Sequence, residues 1–428
     1  MNVPINRIKP GLWPAWFVWM AVACTTAQAE ETNSLTLSAA IAEAQQNNPE
    51  IRALSAAITS ARGNVTTAKT WDNPELNVAP GVRATQPAGD PSKTEFHGIF
   101  ELRQTIEFPG KRALRRALAE KNVELQELAF TGLRSQLTID VRHAFYGVLV
   151  AQQIVSLKNN ELTLAQTLAD ATRKKVEAGF APEFEATTSE VQVIGAQKAL
   201  REALAKLTTT RATLNTLLGR APRATLEITA TLATEIVFPD ETNLLRQTFA
   251  RNPSLRVQAA DVERAGLSVQ SVRKSRFPDF AVGPSVEYLN DEQTYDFTIT
   301  LPLPLWDHKR GEIASAQAEQ EKAQAEEDKL KQQISRDVVS AYQELRSANE
   351  SLALFTPELF AKLKNALDAA SQSYADGRTS LLVYLETQRS YFDTEADYYD
   401  TLQKLYDAQA ALESAAGVPL SQLEENAK

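Results

Sequence analysis

The chain is one structural unit written twice, and this constrains its fold more than any single motif. Asn48-Pro49-Glu50-Ile51 recurs 204 residues later as Asn252-Pro253-Ser254-Leu255, and Asn73-Pro74-Glu75-Leu76 recurs at the same offset as Phe277-Pro278-Asp279-Phe280. Lys111-Arg112 matches Lys309-Arg310 at an offset of 198. Gly179 matches Gly377, and Gly219-Arg220-Ala221-Pro222 matches Gly417-Val418-Pro419, again near 198. The offset changes once, between Pro74 and Lys111, so the first copy carries about six extra residues there. Chance matches do not hold register over so much chain. The reading is a first repeat over residues 30–225 and a second over 226–428, behind a leader at 1–29.

Each copy passes through the same changes of hydrophobic period. A helical segment comes first, at about 36–70 and 240–275. Two strand-like segments follow, forming hairpins over 75–108 and 279–305. In the second, Phe280, Val282, Val286 and Tyr288 alternate with small or polar residues, as do Tyr295, Phe297, Ile299, Leu301 and Leu303, with a turn near Asn290-Asp291-Glu292. In the first, Leu76, Val78 and Val82 alternate likewise; Phe100, Leu102, Ile106 and Phe108 follow after the longer loop Gln86–Lys93. A very long helical pattern comes next. Leu137, Val141, Ala144, Val148, Ala151, Val155, Leu162, Ala165, Ala169 and Val176 step by fours and threes, with Lys158 and Thr172 as polar interruptions. That is a sustained coiled-coil seam. As one helix, residues 111–177 span roughly 100 Å at 1.5 Å per residue. Ile334, Val338, Ala341, Leu345, Ala348, Leu352 and Phe355 repeat the theme, with Pro357 expected to kink or break the helix. Gly179 and Gly377 can supply left-handed caps, and return helices run to about Leu218 and Ala416.

Four strands do not close a barrel, yet their alternation calls for one apolar solvent and paired edges. Each is long enough to cross a bilayer when tilted. Several protomers sharing one barrel resolve this: two give eight strands and three give twelve. The fold class is therefore α+β, mostly α and internally duplicated. Four strands enter a shared transmembrane β-barrel, and the long helical hairpins project into the periplasm as a tunnel. A periplasmic coiled-coil adaptor or scaffold is the competing class, but it leaves the four amphipathic strands without a purpose.

The N-terminus fits an exported protein. Arg7 and Lys9 precede an apolar stretch from Leu12 to Ala23, and Ala27-Gln28-Ala29 is a small-x-small cleavage pattern, which places the mature N-terminus at Glu30. Cys24 is the only cysteine; cleavage after Ala29 leaves no thiol, whereas lipidation at Cys24 is the alternative. No apolar run after the leader is long enough for a membrane-spanning helix. A net charge of −9 without a basic patch gives no footprint for nucleic acid. His97, His143 and His308 have no metal-ligand spacing, and neither a phosphate loop nor a nucleophile elbow is present, so no enzyme, cofactor or metal site is expected.

The paired Asn-Pro motifs and duplicated order resemble the TolC-like outer-membrane factor family over essentially the whole mature chain. Glu177-Ala178-Gly179 and Tyr374-Ala375-Asp376-Gly377 match that family's helix-tip turns, and Leu217-Leu218-Gly219 and Ala415-Ala416-Gly417 match the ends of its return helices. Gln104-Thr105-Ile106-Glu107-Phe108-Pro109-Gly110-Lys111-Arg112 resembles the cobalt-zinc-cadmium branch. The resemblance implies a homotrimer with a twelve-stranded barrel in outer-membrane lipid. It also implies a periplasmic adaptor, a resistance-nodulation-division type inner-membrane efflux pump, and divalent heavy-metal cations as cargo, with drugs or secreted polypeptides as alternatives. It further implies a periplasmic aperture narrowed by Glu386 and Glu185, with Val383 and Thr188 at the other two acidic positions of the family. The tip turns at Gly179 and Gly377, with Asp376 and Arg378, would serve adaptor contact or inter-helix pairing.

Overall fold

The duplicated Asn-Pro pair turns out to be a joint. A computed structural model describes residues 35–85, 93–232, 240–289 and 292–420. The leader with Cys24, the loop 86–92 and the turn centre 290–291 lie outside these. The first helical segment divides into α1 (Leu37–Asn47) and α2 (Pro49–Lys69). Asn48 sits between them as the N-cap of α2, and Pro49 occupies the first helical position, where its missing N–H costs nothing. The Asn48 side chain accepts from Glu50 N–H at 2.8 Å and donates to Leu217 O at 3.1 Å. One buried amide thus caps the start of one helix and the end of another.

The first copy continues with β1 (Glu75–Thr85), β2 (Lys93–Ile106), α3 (Lys111–Glu177) and α4 (Glu183–Leu217). The second comprises α5 (Glu241–Arg251), α6 (Pro253–Lys274), β3 (Phe280–Leu289), β4 (Glu292–Thr300), α7 (Arg310–Leu352), α8 (Pro357–Ala375) and α9 (Leu381–Ala416). Asn252 repeats the joint: it accepts from Ser254 and Leu255 N–H at 2.9 and 3.2 Å and donates to Ala415 and Ala416 carbonyls at 3.1 and 3.2 Å.

The strands form one antiparallel sheet in the order β1-β2-β3-β4, leaving β1 and β4 at its edges. Val78 pairs with Phe100, Phe100 with Val286, and Val286 with Tyr295, so the alternating apolar residues of all four strands share one face. At Gly283 a Cβ would lie 1.6 Å from Leu102 O; only glycine fits between these two backbones. β4 ends at Thr300, short of the expected 305, because Pro302 and Pro304 remove alternate N–H donors from the ladder.

α3 is a continuous helix of 67 residues. Its counterpart is broken: Thr356 caps α8 by accepting from Leu359 N–H at 3.3 Å, and Pro357 takes the first helical position. Pro357 is therefore a start signal after a stop, and Thr356 caps the helix that begins there. The structure also moves one match. Gly110 (φ 94°) and Lys309 (φ 57°) are both left-handed N-caps, so the helix starts correspond at an offset of 199 rather than 198. The hairpins agree, since Val78 pairs with Phe100 as Val282 pairs with Ile299. Strand register fixes this, because a one-residue slip would turn the apolar face over.

Leu137, Val141, Val148, Ala151, Ala165 and Ala169 of the α3 seam are buried. Phe145, Leu149 and Leu168 are buried as well, so α3 is enclosed on more than one face. The first-copy core gathers α3 residues with Ile51, Leu207, Leu214 and Leu218. The second gathers Ile334, Val338, Leu345, Leu402, Leu405 and Leu412, and Val150 of α3 reaches into it. Polar joints also cross between copies. Arg142 Nη1 meets Glu413 Oε1 at 2.6 Å, and the Glu413 side chain is 1% exposed. Tyr146 stacks on Tyr406 with ring centroids 4.5 Å apart.

Candidate functional site

The two sheet faces differ in chemistry. One exposes Leu76, Val78, Val82, Phe96, Phe100, Leu102, Tyr295, Phe297 and Ile299. The other carries Arg83, Glu95, His97, Glu101, Arg103, Glu287, Thr294 and Asp296, as the pairing register dictates. On that face His97 Nε2 lies 2.8 Å from Glu287 Oε1, and Arg103 bonds Glu101 at 3.0 Å. A membrane barrel needs this division, with its apolar side to lipid and its polar side to water. No described helix is long and apolar enough to cross a membrane.

At the far end, α3 and α4 join at one tip and α8 and α9 at another. Gly179 (φ 75°) and Gly377 (φ 72°) end their helices in the left-handed conformation. Phe180 N–H reaches back to Lys175 O at 2.8 Å, and Arg378 N–H reaches Ser373 O at 2.8 Å. These bonds satisfy carbonyls the helix ends leave free. Asp376 pairs within its own turn, with Arg378 at 3.6 Å and Gln372 at 3.0 Å, rather than across helices. Both tips expose apolar side chains: Phe180 and Phe184 at one, Leu382 and Val383 at the other.

The two carboxylates of the expected aperture have different surroundings. Glu386 and Val383 are exposed on α9, and Thr188 is exposed on α4. Glu185 is half-buried and accepts from the Tyr374 hydroxyl at 3.2 Å. The buried Thr172 hydroxyl lies 3.2 Å from the same phenol oxygen. With the phenol proton directed to Glu185, Thr172 is the donor in that second bond. Burial raises the Tyr374 phenol above its usual range; the Thr172 bond opposes this, and the nearby Glu185 carboxylate reinforces it. Lys175 Nζ sits 4.0 Å over the Tyr374 ring and donates to the Tyr374 carbonyl, and Tyr384 stacks on that ring at 5.8 Å. The clamp Lys175–Tyr374–Glu185 therefore binds the two tips together. Tyr374 stood in the sequence only as part of a turn motif; its tying role depends on α3 lying beside α8, which local pattern does not encode.

His143 pairs with Asp407 at 2.6 Å, linking α3 to α9. The Asp407 hydrogen bond raises the His143 pKa against the pull of burial. His308 lies in the exposed segment before α7. Among the described residues no three His, Cys, Asp or Glu side chains converge as metal ligands.

Comparison with known proteins agrees with this geometry. The outer membrane efflux protein family matches residues 40–220 and 244–418. The cobalt-zinc-cadmium resistance protein CzcC of Cupriavidus metallidurans is 26% identical over 363 residues, covering 84% of this chain and 85% of that protein. The nickel-cobalt-cadmium resistance protein NccC of Alcaligenes xylosoxydans is 25% identical, covering 66% and 64%. Among solved structures, CusC superposes with a TM-score of 0.74 at 16% identity, over 90% of this chain and 93% of that one. The open state of the Neisseria gonorrhoeae MtrE outer membrane channel gives 0.71 at 16% identity, over 90% and 89%.

Proposed function

The chain belongs to the outer membrane efflux protein family and is an outer-membrane channel rather than an enzyme, and from that premise we propose that it works as a homotrimeric, passive, gated conduit for divalent heavy-metal cations. The observation that carries the conduit reading is the sheet: four membrane-length strands with one apolar and one polar face, and both edges unpaired. Three such sheets make a closed barrel of twelve strands, which removes the edges and wets only the polar face. The metal cargo is supported by similarity to two metal-resistance proteins. A conduit holds its cargo weakly enough to release it.

In this reading the chain is two repeats, 30–225 and 226–428, behind a cleaved leader. The exposed apolar tips, with Asp376 and Arg378, meet a periplasmic adaptor that joins the channel to an inner-membrane pump of the resistance-nodulation-division type. Glu386, with Glu185, narrows the periplasmic end. Three copies of each carboxylate around one axis attract cations and repel each other. The Tyr374 bond holds Glu185 in place, so Glu386 is the freer of the two.

Native mass spectrometry of the detergent-solubilised protein tests the oligomer; a folded monomer would refute the shared barrel. Single-channel recording tests the aperture. Glu386→Gln should lower cation selectivity and weaken block by multivalent cations, and unchanged behaviour here and in the double variant with Glu185→Gln would remove the assignment. For the cargo, a deletion strain should become sensitive to cobalt, zinc or cadmium salts; sensitivity to drugs alone would replace the metal reading.

A further inference from the structure

Because the chain contains the same unit twice, the contact between its two halves is a template for the contact between neighbouring chains. The β2–β3 boundary lies within the protomer. Its counterpart, β4 against β1, has no partner inside the chain, since these two strands are the sheet edges.

At the internal boundary Asp279, just before β3, is the centre of a small polar node. Phe108 N–H and Lys111 Nζ both donate to its Oδ1, at 2.7 and 2.8 Å. The ring of Phe108 stacks on Phe277 at 4.5 Å. Lys111 is the first residue of α3, behind the left-handed cap Gly110. In the other copy the residue in the place of Asp279 is Glu75, after the same proline. The residue in the place of Lys111 is Arg310, first in α7 behind the left-handed cap Lys309. Glu75 and Arg310 are both exposed. Glu75 lies opposite Arg103 in the strand pairing, but the Arg103 guanidinium bonds Glu101. Among the described residues, Arg310 has no hydrogen-bond or ion-pair partner. Both halves of the node thus exist on one chain, at opposite edges of its sheet.

The geometry points to a second copy of this chain as the partner, with Arg310 of one protomer paired to Glu75 of the next. The same transposition fixes the strand register across that seam. Phe100 pairs with Val286, Gln104 with Val282 and Ile106 with Phe280 inside the protomer. Carried to the seam, these become Ile299 beside Val82, Leu303 beside Val78, and Leu305 beside Leu76. Each pair joins two apolar-face residues, so the lipid-facing surface continues unbroken around the barrel. A slip of one residue would set apolar against polar at every position.

This inference rests on the shared-barrel reading and adds its register and its ion pair. Cysteines at Val82→Cys and Ile299→Cys, in a background with Cys24 replaced, should form disulfides between protomers under mild oxidation. The product should be a covalent trimer, several-fold more abundant than from the slipped pair Val82→Cys with Phe297→Cys, because a disulfide requires Cα atoms within about 7 Å. In parallel, Glu75→Arg and Arg310→Glu should each shorten the heat survival of the trimer, and the double exchange should restore it. Stronger crosslinking of the slipped pair overturns the register while leaving the trimer intact. So does the absence of either crosslink in protein that native mass spectrometry shows to be trimeric. No rescue by the double exchange overturns the ion pair. A monomer by mass spectrometry would instead remove the shared barrel itself.

Discussion

The ion pair between Arg142 and Glu413 gives the sharpest energetic prediction. Glu413 is a carboxylate with a side chain 1% exposed, and Arg142 is 20% exposed. Three donors reach the same oxygen: Arg142 Nη1 at 2.6 Å, Leu420 N–H at 3.0 Å and Gln409 Nε2 at 3.4 Å. Arg142→Leu removes the only charged donor and leaves the carboxylate among neutral groups. Breaking a buried pair in this way costs about 3–5 kcal/mol, and the two remaining donors place the cost near the lower figure. Because unfolding of a membrane assembly is read as a rate, the measurement is the half-life of the folded protein at fixed temperature and detergent. At about 1.4 kcal/mol per factor of ten, Arg142→Leu should shorten that half-life by up to about a hundredfold. Adding Glu413→Gln removes the stranded charge and keeps an acceptor for Leu420 N–H. The double variant should therefore recover more than half of the loss on a logarithmic scale. Wild-type survival of Arg142→Leu, or a double variant no better than the single, would refute the reasoning.

Other outcomes follow from separate parts of the molecule. Gly283→Val should drive a side chain into Leu102 O and prevent assembly, read as loss of trimer from the outer-membrane fraction, whereas Ser285→Ala on the same face should assemble normally. Tyr374→Phe should leave the buried Thr172 hydroxyl without its partner, costing about 1–3 kcal/mol, and should speed protease cleavage at the tips. The His143–Asp407 pair should stabilise only within a pH window. The raised His143 pKa makes its contribution complete below 6.5 and lost as pH rises through the raised value; Asp407, where burial pushes the pKa up but the hydrogen bonds from His143 and Gln403 together outweigh it, contributes above 3.8 and loses that as pH falls through its lowered value. The heat-survival difference between wild type and His143→Gln should therefore be largest at about pH 5–6 and vanish in alkali, at less than about 1 kcal/mol because both groups are substantially exposed.

The features legible in the sequence are those in which one residue type answers a local backbone demand. The glycines at 179 and 377 mark left-handed helix ends, and the long seam from Leu137 to Val176, broken in polarity only at Lys158 and Thr172, marks a single helix. The Asn-Pro pairs are visible as repeats, but the joint each makes between two helices is not, because the staple from Asn48 to Leu217 O joins residues 169 apart. Thr356-Pro357 is a capped helix start that reads equally well as a fault within a longer helix. Among the proposed aperture residues, the environments of Glu185 and Glu386 differ through Tyr374, a contact across 189 residues. The Arg142–Glu413 joint is similarly remote, and nothing near Glu413 in the sequence signals that its charge is buried.

The length of α3 has a mechanical consequence. A rigid helix of 67 residues is a lever arm of roughly 100 Å. Pivoting it by about 3° at the sheet end moves the other end by about 5 Å, more than the spacing of successive residues along a strand. Angular play too small to disturb side-chain packing near the pivot is thus converted into a displacement on the scale of a hydrated ion at the tip. The second hairpin carries a joint at residues 353–356, so its arm is shorter beyond the break and gains less from the same pivot.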